Sequence, residues 1–161
     1  MAFLKENNME NLTRIASFSV DHDKIGVGMY VSRIDGDITT YDLRTRIPNG
    51  GDYMDNVTMH SVEHLFATFV RNGTLGKRVI YFGPMGCRTG FYLLVRGTSN
   101  EEVLAEVKHV LSEISENASE MPGATRVECG NYRELDLEKG KAECARYLAA
   151  LNSQTVDFKY Y

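Results

Sequence analysis

The segment "NVTMHSVEHLFATFVRN" (Asn56–Asn72) has the first strong helical periodicity in the chain. Asn56 or Thr58 can cap its start, and Gly73 is placed to end it. At about 100° per residue, large apolar side chains fall on one arc of this helix. They are Met59, Val62, Leu65, Phe66, Phe69 and Val70. We therefore expect the helix to pack this arc on a sheet.

Alternating stretches on both sides of this helix predict antiparallel strands. Before it come "ASFSVDH" (16–22) and "KIGVGMYVSR" (24–33), followed by "IDGDITTYDLRTRIP" (34–48). Asp35-Gly36 is expected to supply the positive dihedral angles of a tight hairpin. After the helix, "KRVIYFGPMGC" (77–87) and "TGFYLLVRG" (89–97) form a second predicted strand pair, joined by a turn with glycine and proline.

Two more amphipathic helices follow the strands. One runs from Ser99 to about Asn117, where Ser99 and Glu102 form a capping box, and another starts near Asp136. Their predicted buried side chains are Val103, Val107, Val110, Leu111 and Ile114 in the former, and Leu137, Cys144, Tyr147, Leu148 and Leu151 in the latter. This order predicts a single α+β domain with one antiparallel sheet and the helices packed on one face.

The composition of the chain is that of an ordinary globular domain. The 161 residues are 43% hydrophobic and 25% charged, with a formal net charge of −4, which is ordinary for one globular domain. The sequence has no basic patch that would predict nucleic acid binding. None of its apolar stretches approaches the roughly 20 residues that a membrane-spanning helix needs. We expect a cytoplasmic protein whose three cysteines stay reduced.

The polar arc of the first helix carries reactive side chains. His60, Glu63, His64, Ala67 and Arg71 share one stripe by the same helical count. Histidines at i and i+4 can reach one metal ion, and a glutamate beside them can act as a base without ligating it. H-x-x-E-H is also a metallopeptidase signature. The alternative is that these side chains simply face water.

The cysteines offer further chemistry. A thiolate from Cys129 could complete a two-histidine metal site with an open position, although spacing alone does not choose between Cys129, Glu128 and Glu134. Cys87 lies between glycines beside a cation, which favours a reactive thiolate able to exchange protons. Cys144 falls on the apolar side of its helix and is expected to be a core residue.

Five blocks of the sequence occur in an order typical of one enzyme family. The blocks are "SFSVDH" (17–22), "YDLRTRIPN" (41–49), "HSVEHLFATFVRN" (60–72), "GPMGCRTGFYLL" (83–94) and "CGNYRELDLEKGKAE" (129–143). Together the matching residues extend from Ile15 to about Asn152, and they resemble the S-ribosylhomocysteine lyase (LuxS) family. On this resemblance, residues 1–14 are an N-terminal extension and residues 15–161 are the catalytic domain of a homodimer with pockets at the subunit interface.

The resemblance implies an activity and a set of site residues. The family cleaves S-ribosylhomocysteine to homocysteine and 4,5-dihydroxy-2,3-pentanedione, the autoinducer-2 precursor, by two carbonyl-shifting isomerisations and a β-elimination. Each subunit is expected to hold one divalent ion, Fe(II), with zinc or cobalt as possible substitutes. The implied metal ligands are His60, His64 and Cys129, the acid/base pair is Glu63 and Cys87, and the substrate-binding residues are Ser17, Arg44 and Arg71.

The chain also departs from the family pattern. Residues before Asn11 extend beyond the usual start, and Met9 would be as natural a first residue as Met1. Thr40 stands where many members have lysine, and Tyr81-Phe82-Gly83 replaces an Asp-Ile-Ser-like run. A small H-x-x-E-H metallopeptidase and a non-catalytic metal-binding homologue remain the alternative functions.

Overall fold

The computed structural model describes residues 12–160, so most of the predicted extension and both candidate start methionines lie outside the described residues. Four strands form one antiparallel sheet in the order β1-β2-β4-β3. The strands are β1 (Gly28–Asp35), β2 (Ile38–Arg44), β3 (Val79–Pro84) and β4 (Gly90–Arg96), and the helices are α1 (Asn56–Arg71), α2 (Asn100–Asn117) and α3 (Leu137–Asn152). The α+β prediction is confirmed.

The sheet has one face covered by the three α-helices and one that they leave open. Alternate residues of the central strands, such as Tyr41, Leu43 and Leu93, are buried in the core that the helices close. The residues between them, including Asp42 and Tyr92, lie on the opposite face because successive side chains of a strand alternate. This second face carries part of the candidate site.

The predicted hairpin between β1 and β2 is present. Asp35 pairs with Ile38, so Gly36 and Asp37 form a two-residue turn. Gly36 has a φ of 61°, whereas Asp35 does not adopt a positive φ. Glycine alone therefore provides the left-handed conformation that the sequence assigned to both residues.

The strand predicted over residues 16–22 is wrong. Ala16–Phe18 forms a short 3-10 helix, and local bonds close it: the N–H of Phe18 donates to the Ile15 carbonyl and that of Ser19 to the Ala16 carbonyl. The serine hydroxyl also donates to the Ile15 carbonyl. These local bonds satisfy backbone groups that a strand would have to pair with a neighbour.

Helix caps agree with the sequence in two of three cases. Ser99 accepts from the N–H of Glu102 at the start of α2, and Asp136 caps α3 in the same way. At α1 the cap is Asp55, which accepts from the N–H of Thr58 at 2.7 Å. The prediction of Asn56 or Thr58 is therefore wrong by one position or more, since Asp55 has the extended backbone that a cap needs.

None of the helices within residues 12–160 has the length and apolar character required to cross a membrane.

Candidate functional site: a two-histidine, one-cysteine cluster

Helix α1 presents two imidazoles on adjacent turns. The rings of His60 and His64 lie edge to face with their centroids 4.6 Å apart, and both side chains are half-buried. The apolar arc of the same helix is directed away from them, with Leu65 and Phe66 buried in the core. The helix therefore holds the histidines at the border between core and solvent, as its periodicity predicts.

Backbone carbonyls fix the orientation of both rings. Nδ1 of His60 lies 2.8 Å from the carbonyl oxygen of Glu134, and Nδ1 of His64 lies 2.9 Å from that of Pro122. A carbonyl only accepts, so each Nδ1 must carry the proton and donate it. The lone pair is then on Nε2 of each ring. Histidine binds a metal as this tautomer in many protein sites.

Cys129 completes the cluster from a distant loop. Its Sγ lies 3.4 Å from Nε2 of His60 and accepts from the backbone N–H of Asn131 at the same distance. Glu128 is turned away, since its carboxylate accepts from the hydroxyl of Thr125. Of the three residues that spacing left open, the structure brings the side chain of Cys129 to the histidines.

Close packing between α1 and α3 positions the loop that carries Cys129. A Cβ on Gly140 would lie 2.7 Å from Cδ1 of Leu65 and 3.1 Å from Cβ of Ser61, so glycine permits the close approach of the two helices. The Ser61 hydroxyl accepts from the N–H of Asp136 at 2.8 Å. These contacts anchor the end of the loop next to the histidines.

The donor atoms fit a transition metal ion. The ligand atoms of His60, His64 and Cys129 all lie within 4.8 Å of one another. Imidazole and thiolate ligands suit zinc, cobalt and ferrous iron, and three protein ligands leave a position open, as in catalytic sites. The residues present therefore can hold the ion that the sequence predicts.

Glu63 and Arg71 extend the same stripe of α1. Glu63 is half-buried, between the two histidines in sequence. Arg71 is exposed at the end of the helix, where its guanidinium donates to the Ala67 carbonyl at 3.3 Å. Glu63 thus lies on the same turn of α1 as His64, whereas Arg71 is two turns beyond His64.

A second group of predicted site residues lines a cleft of about 440 Å³. Ser17, Arg44 and Cys87 meet there, together with His22 and Tyr92. The Cys87 thiol is exposed and lies 3.0 Å from the hydroxyl of Thr89. Burial raises the pKa of Tyr92, so its phenol stays protonated in this cleft.

A buried ion pair forms the floor of this cleft. Nη2 of Arg44 donates to Oδ2 of Asp42 at 2.6 Å, and their side chains are only 3% and 0% exposed. Nη1 of Arg44 donates to the Thr89 hydroxyl at 2.8 Å and lies 3.9 Å from Sγ of Cys87. Burial alone would lower the pKa of Arg44, but the charge and hydrogen bond of Asp42 outweigh it and raise that pKa.

The two groups remain separate within one chain. Arg44 and the cleft belong to the open face of the sheet, while α1 packs on the other face. No hydrogen bond joins the Cys87 thiol to His60, His64 or Cys129 in residues 12–160. The structure brings together the predicted metal ligands in one place and the Ser17, Arg44 and Cys87 side chains in another.

Residues Tyr81 and Gly83 fit against each other on the open face of the sheet. The ring of Tyr81 lies across Gly83 on the open face of the sheet, where a Cβ on residue 83 would overlap the tyrosine hydroxyl. Tyr81 is half exposed, at 51%. In this position the Tyr81 ring therefore requires glycine at residue 83.

Sequence reasoning missed several residues of the two groups. The carbonyls of Glu134 and Pro122 carry no side-chain signal, although the Pro122-Gly123 dipeptide predicts a turn and Gly123 has a φ of 65°. Asp42 could have been found from its position two residues before Arg44 in a strand, which puts both on one face.

Comparisons with known proteins show which family this chain resembles over most of its length. The family model for S-ribosylhomocysteinase (LuxS) matches residues 15–157. The S-ribosylhomocysteine lyase of Borreliella afzelii is 40% identical over 148 residues, which cover 88% of this chain and 94% of that protein. The enzyme of the same name from Desulfotalea psychrophila is 42% identical over 142 residues (84% and 89%), and that from Clostridium acetobutylicum 41% over 153 residues (91% and 96%).

The family model and these relatives define the class as that of carbon–sulfur lyases. Within that class, the chain belongs to the S-ribosylhomocysteinase (LuxS) family.

Proposed function

We propose that this protein cleaves S-ribosylhomocysteine to homocysteine and 4,5-dihydroxy-2,3-pentanedione, the precursor of the autoinducer-2 signal. Relatives that share about two fifths of its residues over most of their length carry the name of this lyase. The observation that carries the proposal is the cluster of His60, His64 and Cys129, in which each imidazole has its lone pair on Nε2, the atom that would bind a metal.

One divalent ion per subunit is proposed to bind His60, His64 and Cys129. Fe(II) is the expected ion, and zinc or cobalt are substitutes that the same donor set accepts. When bound, the ion supplies Lewis-acid stabilisation of negative charge on the sugar oxygens, which is worth several kcal/mol. The Glu134 and Pro122 carbonyls keep each imidazole in the ligating tautomer.

Glu63 and Cys87 are proposed as the acid/base pair. Moving a carbonyl along the sugar requires that a proton leave one carbon and return to the next, so two groups must exchange protons. Glu63 is half-buried on α1, next to His64 in the sequence, and the exposed Cys87 thiol lies 3.0 Å from the Thr89 hydroxyl and 3.9 Å from the Arg44 guanidinium. Each can give and take a proton at its own end of the substrate.

Ser17, Arg44 and Arg71 are proposed to bind the substrate. Arg44 is fixed and desolvated at the floor of the cleft, where a cation attracts a carboxylate or hydroxyl far more strongly than in water. Ser17 lines the same cleft with a hydroxyl. Arg71 is exposed at the end of α1, two turns beyond His64, and its side chain can reorient toward a bound substrate.

A homodimer is proposed to unite the two groups. Because the metal cluster and the Cys87 cleft are separate within one chain, a second subunit can bring its own cleft to the cluster of the first. Large apolar side chains near the open face of the sheet support such an interface. Phe18 is 64% exposed, Ile15 55% and Tyr81 51%.

The test combines metal analysis with product release. The protein is purified anaerobically, its metal content is determined, and homocysteine thiol release from S-ribosylhomocysteine is followed for the wild type, Cys87→Ala and Glu63→Gln. Both variants should keep the metal and lose turnover by about 10²-fold or more. Glu128→Gln is the matched control, because Glu128 bonds Thr125 and should keep both properties.

The outcomes also separate the alternative functions. Cleavage of a peptide panel without thiol release from S-ribosylhomocysteine would establish the metallopeptidase. A metal-loaded dimer that acts on neither substrate would be the non-catalytic homologue. Loss of metal from Glu63→Gln or Cys87→Ala would contradict the division between ligands and acid/base groups.

A further inference from the structure

The last described residues of the chain reach the floor of the Cys87 cleft. The C-terminal tail (residues 156–160) lies along β1, where the Phe158 carbonyl accepts from the N–H of Val31 at 2.8 Å. The ring of Tyr160 then stacks on Tyr30 with centroids 5.2 Å apart. This docking directs the Tyr160 hydroxyl toward Asp42, to which it donates at 2.7 Å.

Few bonds define the orientation of the buried pair beneath it. Oδ2 of Asp42 accepts from both Tyr160 and Arg44, while Oδ1 has no hydrogen-bond partner among the described residues. The guanidinium of Arg44 is likewise held through Nη1 and Nη2, and its Nε has no hydrogen-bond partner within residues 12–160. Within residues 12–160, the Tyr160 hydroxyl therefore supplies one of the two hydrogen bonds that orient the carboxylate.

The remaining bonds lead from this carboxylate to the thiol. Nη1 of Arg44 reaches the Thr89 hydroxyl, which in turn lies 3.0 Å from Sγ of Cys87. A guanidinium beside a thiol favours the reactive thiolate, and the effect depends steeply on distance in a desolvated place. A rotation of Asp42 would move Arg44 and change how it acts on Cys87.

We propose that Tyr160 is a positioning residue, which acts through Asp42 to hold the guanidinium of Arg44 in the cleft. Docking of the C-terminal tail thereby sets the reactivity of Cys87 and the position of the cation offered to the substrate. The role of Tyr160 in turnover rests on the proposed function, whereas its effect on the Cys87 thiol does not.

The phenol is suited to this role. Burial, reinforced by the charge of Asp42, raises the pKa of Tyr160 far above its usual range. The hydroxyl therefore stays protonated and donates at every pH at which the protein is studied. Tyr30, its stacking partner, bonds the Gly26 carbonyl at 2.9 Å instead.

The test removes one hydroxyl from each member of the stacked pair. Tyr160→Phe keeps the ring that packs the tail and removes the hydroxyl, which bonds Asp42 and also interacts with Ser32. Tyr30→Phe is the matched control. The full-length, metal-loaded protein is treated with iodoacetamide at pH 7, and the alkylation rate of the Cys87 peptide is measured by mass spectrometry. The KM and kcat for thiol release from S-ribosylhomocysteine are measured in parallel.

Tyr160→Phe should slow the alkylation of Cys87 and lower kcat/KM by about tenfold, which corresponds to about 1.4 kcal/mol. Tyr30→Phe should leave both within about twofold of the wild type, since its hydroxyl does not touch Asp42. In an Arg44→Lys background, Tyr160→Phe should have no further effect on alkylation, because its influence passes through the guanidinium.

Three results would overturn the inference. They are a Tyr160→Phe protein with wild-type alkylation, equal effects of the two tyrosine replacements, and an undiminished effect of Tyr160→Phe in the Arg44→Lys background. A wild type that releases no thiol would instead refute the proposed function, and the alkylation rates would still decide whether Tyr160 positions Arg44.

Discussion

Asp55 should stabilise the helix that carries both histidines. Its carboxylate accepts from the N–H of Thr58 at 2.7 Å, and Asp55→Ala leaves that donor without its cap. Loss of such a cap costs about 1 kcal/mol, within a range of about 0.5–2. The ion pair with Lys139 at 3.4 Å adds little, because both side chains are more than half exposed. For a chain of this size the melting temperature should fall by about 2–4 °C.

A second substitution separates the contribution of the Asp55 charge to stability from that of its hydrogen bond. Asp55→Asn keeps a capping oxygen, so at neutral pH it should lose only a few tenths of a kcal/mol. The Thr58 backbone hydrogen bond lowers the pKa of Asp55 in the folded protein. A lowered pKa contributes stability above the unfolded value of about 3.9, and that contribution disappears as the pH falls through the folded pKa. The advantage of the wild type over Asp55→Asn should therefore vanish in acid.

Urea unfolding followed by circular dichroism at pH 7 and at pH 3 measures both effects. Asn56→Ala serves as the control, because the sequence offers Asn56 as an equally good cap. The reasoning is refuted if Asp55→Ala has the stability of the wild type while Asn56→Ala is destabilised by about 1 kcal/mol.

Three further predictions follow from the packing. Gly90→Ala places a Cβ 2.7 Å from a carbonyl oxygen of the paired strand, so it should lower the free energy of unfolding measured in urea by about 2–3 kcal/mol. Gly86 has open space around it, so Gly86→Ala should lower that free energy by less than about 0.5 kcal/mol. Burial raises the pKa of Cys144 to about 12, so a thiol reagent at pH 8 should label it only after unfolding; labelling of the native protein would contradict its place in the core. Arg46→Met leaves the buried Glu143 carboxylate without its bidentate partner and should lower the free energy of unfolding by about 3 kcal/mol. The double variant Arg46→Met/Glu143→Leu should recover most of this loss. Equal stability of the single and the double variant would contradict the prediction.

Local signals predicted much of the fold. The capping box at Ser99 and the apolar stripes of the helices depend only on neighbours within a few residues, and the structure confirms them. The segment over residues 16–22 alternates as a strand would, yet Ala16–Phe18 closes its hydrogen bonds locally. Alternation alone does not tell whether a partner strand is within reach.

The candidate site was predictable to the extent that it lies on one helix. Spacing placed His60 and His64 together, but the choice of Cys129 over two glutamates depends on how α3 packs against α1, which no local pattern contains. The alternation of β2 likewise suggests that Asp42 and Arg44 face water. Both are buried because chain segments from the two ends of the sequence cover them.

The central claim is that one metal ion is held by two imidazoles and a distant thiolate, and X-ray absorption spectroscopy at the metal edge tests it directly. The anaerobically loaded wild type should show one sulfur at about 2.3 Å together with imidazole nitrogens, and Cys129→Ser should lose the sulfur. A wild-type spectrum without sulfur, or one that Cys129→Ser leaves unchanged, would contradict the account.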